Sequence, residues 1–349
     1  MKKFNSRGIC NPEKHYMADI SNKIKQLENL IETEKYLRFT RPRQTGKTTL
    51  LYRLRRSLSN KYLVIDISFE GLGCDSFEDV RKFSKLFIKL ISWRLQYIDK
   101  ELSKELLKLS KDIDSLSMLS KVISDFIKAC NKEVILIIDE VDKVLNNELF
   151  IFFLRIQKDG QELGFKSIIL TSVYQILNIE LIDSNIIDID MSLSENDIQG
   201  MLEEYKNDRS INIDTKKISE RLYYYTSGYP FLVSMICQII DEKLNAIWNE
   251  ETTIKAIKIY SNQRDTLIVD LIDDIEDNKE LREYVYNIVM RDKRYKLDID
   301  NSAINLGVTL GYFKDRGIDL EMANVLFKQI LHSYFLSLAQ TRGSIYYFQ

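Results

Sequence analysis

Three consecutive residues, Gly46-Lys47-Thr48, have the types and order that grip a phosphate. They close the pattern G-x-x-x-x-G-K-[ST], and each position has a physical reason. A residue without a side chain lets backbone N–H groups close on an anion, and the lysine reaches the β- and γ-oxygens. The threonine hydroxyl is offered to a magnesium ion, and the helix that begins there points its positive end at the charge. The first glycine of the pattern is replaced by Arg41. About ninety residues further on, Val134-Ile-Leu-Ile-Ile-Asp-Glu-Val-Asp142 supplies a matching acidic pair. In a site of this kind Asp139 holds the metal, directly or through water, while Glu140 orients and deprotonates an attacking water.

Either stretch alone also fits a chance helix start or an acidic turn after a buried strand. Together, in this order, they imply a P-loop nucleoside triphosphatase with ATP and Mg2+ as its ligands. Such residues work only if a fold positions them. Tyr36–Thr40 reads as a short strand feeding the loop, and a helix opens at Lys47-Thr48 with Leu50, Leu51, Leu54 and Leu58 on one face. Arg53, Arg55 and Arg56 fall on its other faces, as on a solvated helix. The five aliphatic residues Val134–Ile138 suit a central parallel strand covered on both sides. That strand delivers Asp139 and Glu140 to its carboxyl end, where open α/β sheets bind ligands.

Tyr62–Phe69, Ser167–Ser172 and Ile186–Asp190 read as further strands. Thr171 or Ser172, at the end of the second of these, is a candidate sensor of the γ-phosphate or the attacking water. A long helix is expected from Ser76, its Phe83, Phe87, Leu90, Trp93 and Leu95 recurring at helical spacing as core residues. Residues 101–130 and Glu148–Gln157 read as helical too. Strands alternating with helices predict a doubly wound αβα sandwich around a mostly parallel sheet.

Before the first strand, Ser21 or Asp19 would cap a helix to about Thr33 with Ile20, Ile24, Leu27 and Ile31 on one face. The irregular segment preceding it passes beside the adenine in many P-loop ATPases, so Tyr16 or His15 would line the base or else pack as an arm on the core. After Ser194-Glu-Asn-Asp197, which reads as a cap and acidic first turn, strands cease. Gly228-Tyr229-Pro230 reads as a helix-helix corner, or more sharply as part of a lid with Tyr229 and Pro230 over the nucleotide. Helices are expected at about 252–275 and 279–291, a strand-like Lys296–Ile299, a turn at Asp315–Ile318 and a helix from Ala323 to Leu338. Helices followed by a small hairpin point to a winged-helix-like unit. The expected division is 1–193 for the ATPase domain, 194–249 for a helical lid and 250–349 for the C-terminal domain.

With 45% hydrophobic and 29% charged residues the chain has ample material for a packed core, which excludes intrinsic disorder. Only 3 prolines and 12 glycines among 349 residues favour long helices. The basic surplus lies around the phosphate loop: residues 1–70 hold 15 Lys/Arg against 7 Asp/Glu, and residues 251–349 hold 13 against 15. The near-neutral C-terminal third gives little support to nucleic acid as a partner; only Arg291–Lys296 forms a basic patch. Cys10, Cys74, Cys130 and Cys237 lack metal-ligand spacing and read as reduced thiols. No apolar run approaches the ~20 residues of a membrane span. A soluble, cytoplasmic protein is expected.

With these residues placed, the chain resembles the bacterial AAA-like ATPases of the signal-transduction (STAND) branch, many of which fuse the ATPase to a restriction-endonuclease-like nuclease. The resemblance runs nearly full length through Gly8 with Asn11–Met17, Arg41–Thr48, Ile137–Asp142, Val173-Tyr174, Asp190–Ser192, Tyr225–Val233 and Ala323-Asn324 with Phe327. Arg41 fits it, because the family's loop also takes the Arg-x-Arg-Gln-x-Gly-Lys-Thr form. The resemblance implies a phosphate cradle built from Arg43, Gln44, Thr45, Gly46, Lys47, Thr48 and Thr49, with Thr48 and Asp139 on the metal. It implies a nucleotide-driven switch in which ATP closes the sheet domain against lid and winged helix. The connection from Tyr174 to Ile186 is shorter than is usual there, and the tail shows no nuclease-type cluster of carboxylates and lysine. A homo-oligomer or a separate effector protein is the expected partner. Two alternatives stay open: an ATP-gated nucleic-acid binder, and a non-hydrolysing nucleotide scaffold, motivated by Arg41.

Overall fold

Two bodies, interleaved in sequence, make up the chain. One holds Met1–Ile20, Pro42–Thr49 and Asp190–Gln349, the other Ser21–Arg41 and Leu50–Ile189. The computed structural model describes residues 1–33, 36–110, 113–144, 147–159, 164–173, 185–186, 189–298, 300–315 and 319–345. In chain order the first elements are β1 (Lys3–Phe4), β2 (His15–Tyr16), α1 (Ser21–Thr33), β3 (Tyr36–Thr40), α2 (Lys47–Leu58) and β4 (Leu63–Ser68). Then come α3 (Val80–Leu95), α4 (Lys100–Leu109), α5 (Leu116–Ala129), β5 (Val134–Asp139), α6 (Glu148–Asp159), β6 (Ser167–Ser172) and β7 (Asn185–Ile186).

The second body is built on one sheet, ordered β4-β5-β6-β3-β7 and parallel at every pairing. Its aliphatic runs explain this. Val134–Ile138 in β5 and Ile168–Leu170 in β6 are each at most 1% exposed, as strands covered on both faces require. Under the sheet lies an aromatic core in which Phe87 and Phe153 stack edge to face at 4.9 Å and Phe83 meets Phe153 at 5.6 Å. Asp79 caps α3 by accepting bonds from the Arg81 and Lys82 amides, so the helix starts there and not at Ser76; Cys74–Phe77 form a separate 3-10 turn.

Trp93 departs from the core reading, because it is 61% exposed. The inward row of α3 is Phe83, Phe87, Ile91 and Leu95, and a residue two positions from 91 and 95 lies on the opposite side of the helix. Of the expected strand Ile186–Asp190, only Ile186 is in a strand; residues 187 and 188 lie outside the described residues. The Tyr174–Ile186 connection also lies outside them, through residues 174–184.

The first body begins with β1 and β2 as a short parallel pair. Its helices are α7 (Glu195–Arg209), α8 (Thr215–Thr226), α9 (Pro230–Lys243), α10 (Glu250–Ser261), α11 (Thr266–Asp277), α12 (Lys279–Arg291) and α13 (Ser302–Thr309). An antiparallel hairpin of β8 (Phe313–Asp315) and β9 (Leu320–Met322) follows, then α14 (Val325–Ile345). The capping box at Ser194 and Asp197 forms as read, and Pro230 occupies the first turn of α9. The single helix expected at 252–275 is two. Asp265 accepts from the Leu267 amide at 2.8 Å and caps a new start, which the apolar periodicity alone hid. Lys296–Asp298 form no strand; Tyr295 makes one isolated bridge to Leu320, and Ile299 and residues 316–318 lie outside the described residues. No helix among the described residues is long and apolar enough to cross a membrane.

Candidate functional site

At the carboxyl end of the sheet, side chains stitch three strands together. Oδ1 of Asp139 accepts the Glu140 amide at 3.0 Å and the hydroxyl of Thr171 from β6. The hydroxyls of Ser172 and Thr40, directly opposite in register, lie 3.2 Å apart. Thr171 and Ser172 are fully buried. Of the two sensor candidates, Thr171 thus orients Asp139 while Ser172 ties β6 to β3. With strands spaced about 4.8 Å apart, β6 separates β3 from β5 by roughly 10 Å. Glu140 has φ 57, a left-handed conformation that costs a side-chain-bearing residue on the order of 1 kcal/mol or more. Asp142 accepts the Val173 amide at 2.8 Å, a further link from the acidic turn to the end of β6.

Arg41, the residue that replaces the pattern's first glycine, has a structural use. Its Nε and Nη2 donate to the Ile189 carbonyl at 2.9 and 2.7 Å, and its Nη1 donates to the Thr40 carbonyl at 2.9 Å. The guanidinium therefore closes the end of β3 where a glycine would turn the chain. No sequence signal named Ile189 as its acceptor, because backbone acceptors leave no trace in residue type.

The loop 42–49 turns through two left-handed residues, Gln44 at φ 58 and Gly46 at φ 91. A side chain at Gly46 would be strained by that φ, whereas the nearest atom to a Cβ there is the Met191 methyl at 3.6 Å. Thr45 Oγ1 donates to the Pro42 carbonyl at 2.9 Å and holds the turn from inside. The other side chains reach outward to the C-terminal helices. Arg43 pairs with Asp270 of α11 at 2.9 Å, and Gln44 Nε2 donates to Thr266 Oγ1 at 3.0 Å. The Tyr229 hydroxyl, just before α9, donates to the Arg43 carbonyl. Burial pushes the Tyr229 phenol far above its usual range, so it stays a donor. Gly311 lies so close that a Cβ would meet Pro42 Cγ at 2.6 Å.

Arg43, Gln44 and Thr45 therefore each engage a protein partner through the side chain. Lys47 and Thr48 open α2, and Thr48 is exposed. Thr49 Oγ1 accepts from the Cys10 amide at 3.0 Å, so this hydroxyl braces the N-terminal segment. Tyr16 is placed otherwise than an adenine contact requires. It is fully buried, with Phe4 and Tyr205 each 5.1 Å from its ring, because β2 sits among the aromatics of the first body. His15 accepts the Asn11 amide on Nδ1 at 3.0 Å. Asp270, Thr266 and Gly311 were not among the residues read from sequence; partners more than 200 residues away carry no local pattern.

Each body by itself carries donors of the kinds that a nucleotide and its metal take. A glycine turn followed by a helix start leaves backbone N–H groups for an anion. A carboxylate steadied on one oxygen and an exposed threonine hydroxyl are hard oxygen donors of the kind magnesium takes.

A profile of the AAA-like domain matches residues 11–335. The chain belongs to this family. No curated protein sequence matches it. Among solved structures, a Walker-type ATPase of Pyrococcus abyssi is similar with a TM-score of 0.64 at 15% identity, over 94% of this chain and 99% of that one. The ORC2 protein of Aeropyrum pernix, described in ADPNP-ADP complexes, is similar with a TM-score of 0.52 at 11% identity, over 98% of each chain. At these identities the likeness is one of fold: this AAA-like protein has the P-loop ATPase fold.

Proposed function

We propose that this AAA-like protein binds Mg–ATP in the loop 42–49, hydrolyses it slowly, and uses the bound state as a regulatory switch. The observation that supports the reading best is the sheet end, where Thr171 holds Asp139 at the tip of β5, with β6 alone between it and the strand that feeds the loop. In this reading Lys47 and the amides of the loop bind the phosphates, and Thr48 and Asp139 hold the metal. When bound, magnesium would neutralise charge on the phosphate oxygens. Glu140 takes the proton of the attacking water, and its unusual backbone conformation sets the direction of its carboxylate.

The switch rests on the grips that α9 and α11 keep on the loop. Phosphate binding asks the loop to present its amides, so it acts on Arg43 and Gln44 and through them on Asp270 and Thr266. The C-terminal helices with the β8–β9 hairpin, read as the winged-helix unit, would be the part that responds. That the fold also carries nucleotide in the Aeropyrum pernix protein, described with ADPNP and ADP, supports the ligand class. Steady-state phosphate release tests the reading. Wild type should turn over ATP, and Glu140→Gln should bind ATP but fall by about 10²–10⁴-fold in rate. Equal turnover in both would remove Glu140 from the mechanism.

A further inference from the structure

Helix α3 turns toward solvent a face that combines cations with large apolar groups. Arg81, Lys85 and Lys89 follow one another a turn apart, all exposed. Trp93 continues the row at 61% exposure, and past the helix end come Tyr97 at 75% and Ile98 at 42%. Beside the row runs a groove of about 730 Å³, lined by these three cations with Ile88, Leu107 and Ile113. Leu107, on α4, is itself 47% exposed. Ser84 lies at its floor, fully buried, with a hydroxyl that has no hydrogen-bond partner. A solitary exposed leucine is ordinary, but an exposed tryptophan in line with the cations that border an aliphatic groove marks an interaction surface.

We propose that this face docks an acidic amphipathic helix of a partner protein. Residues four apart on a helix rise about 6 Å, so the row Arg81, Lys85 and Lys89 matches carboxylates repeating every turn on a second helix. The apolar side of that helix would fill the groove over Ile88, Leu107 and Ile113, in the helix-in-groove manner. Trp93 and Tyr97 would flank it as the large aromatic anchors that dominate such contacts. The aliphatic floor decides between partners. Single-stranded nucleic acid needs open phosphate contacts and aromatic faces on which bases stack; here the basic row borders an aliphatic groove with Asp114 on its rim, which suits the apolar side of a helix better than bases. Nothing in this proposal depends on how the nucleotide site works.

The test uses the full chain and three probes: a fluorescent synthetic helical peptide with Glu on one face and Leu on the other, the same composition scrambled, and an oligo-dT strand. The two tryptophans help, because Trp248 is only 9% exposed and Trp93 reports the surface. The amphipathic peptide should bind saturably, shift the tryptophan emission to the blue, and lose affinity as salt rises. The double variant K85E/K89E should weaken it by about tenfold or more, and Leu107→Ala should weaken it too, both with ATP affinity unchanged. These positions are exposed, so the variants fold. Equal binding of the scrambled peptide, or no effect of K85E/K89E, would overturn the proposal. Binding of oligo-dT in place of the peptide, lost in K85E/K89E, would also overturn it and assign the face to nucleic acid.

Discussion

At the end of the sheet, Thr171 and Ser172 are fully buried and their hydroxyls meet Asp139 and Thr40. In the loop that follows β3, Arg43 is 47% exposed and Asp270 33% exposed across their ion pair, and Gln44 reaches the hydroxyl of Thr266. The first set rests on two hydroxyls enclosed by packing, and the second on contacts that water and salt can weaken. Partly exposed ion pairs are worth about 0–1 kcal/mol, so a ligand can redirect them at small cost. Leaving a buried polar group unpaired costs about 1–3 kcal/mol, so the sheet end resists the same change. In the proposed function the first region would do the fixed chemistry and the second would serve control.

This contrast can be broken or sharpened by substitution. The largest expected effect on rate comes from Glu140→Gln, which should lower turnover by about 10²–10⁴-fold and leave ATP affinity nearly intact. The largest effect on stability is expected from Phe87→Ala, which removes the ring packed at 4.9 Å against Phe153. It should cost roughly 3–5 kcal/mol, read as a lower urea midpoint. Thr171→Val leaves Asp139 without its hydroxyl donor and should reduce turnover roughly 5- to 30-fold, as a loss of one to two kcal/mol would. The smallest effect belongs to the loop. Asp270→Ala removes the carboxylate that Arg43 pairs with and should tighten ATP binding by at most about fivefold, with saturated turnover unchanged. A loss of turnover in Asp270→Ala as large as that in Thr171→Val would erase the distinction between the two regions.

Much of the sheet was legible because its signals are local. Unbroken aliphatic runs mark covered strands, and Val134–Ile138 and Ser167–Ser172 fold where they read. Gly46-Lys47-Thr48 marks the start of α2, and Ser194 with Asp197 marks that of α7. What was not legible depends on phase or on distant partners. Trp93 shares helical spacing with the core residues in general, but lies opposite the row that Phe87 and Ile91 define. A cap at Asp265 divides what periodicity joins. Tyr16 looks like a base contact only until β1 brings Phe4 against it. Arg41 reads as a defect in a glycine pattern, and its compensation is a carbonyl nearly 150 residues away. The grouping of loop 42–49 with the C-terminal helices is of the same kind: Arg43, Gln44 and Pro42 find their partners at Asp270, Thr266 and Gly311.

The measurement that bears most directly on the central claim is a calorimetric titration of Mg–ATP into the full chain and into Lys47→Ala. The account predicts a saturable one-to-one binding heat in the wild type that disappears in Lys47→Ala while the folded far-UV spectrum is kept. An absence of binding heat in the wild type, or the same isotherm in both proteins, would contradict it.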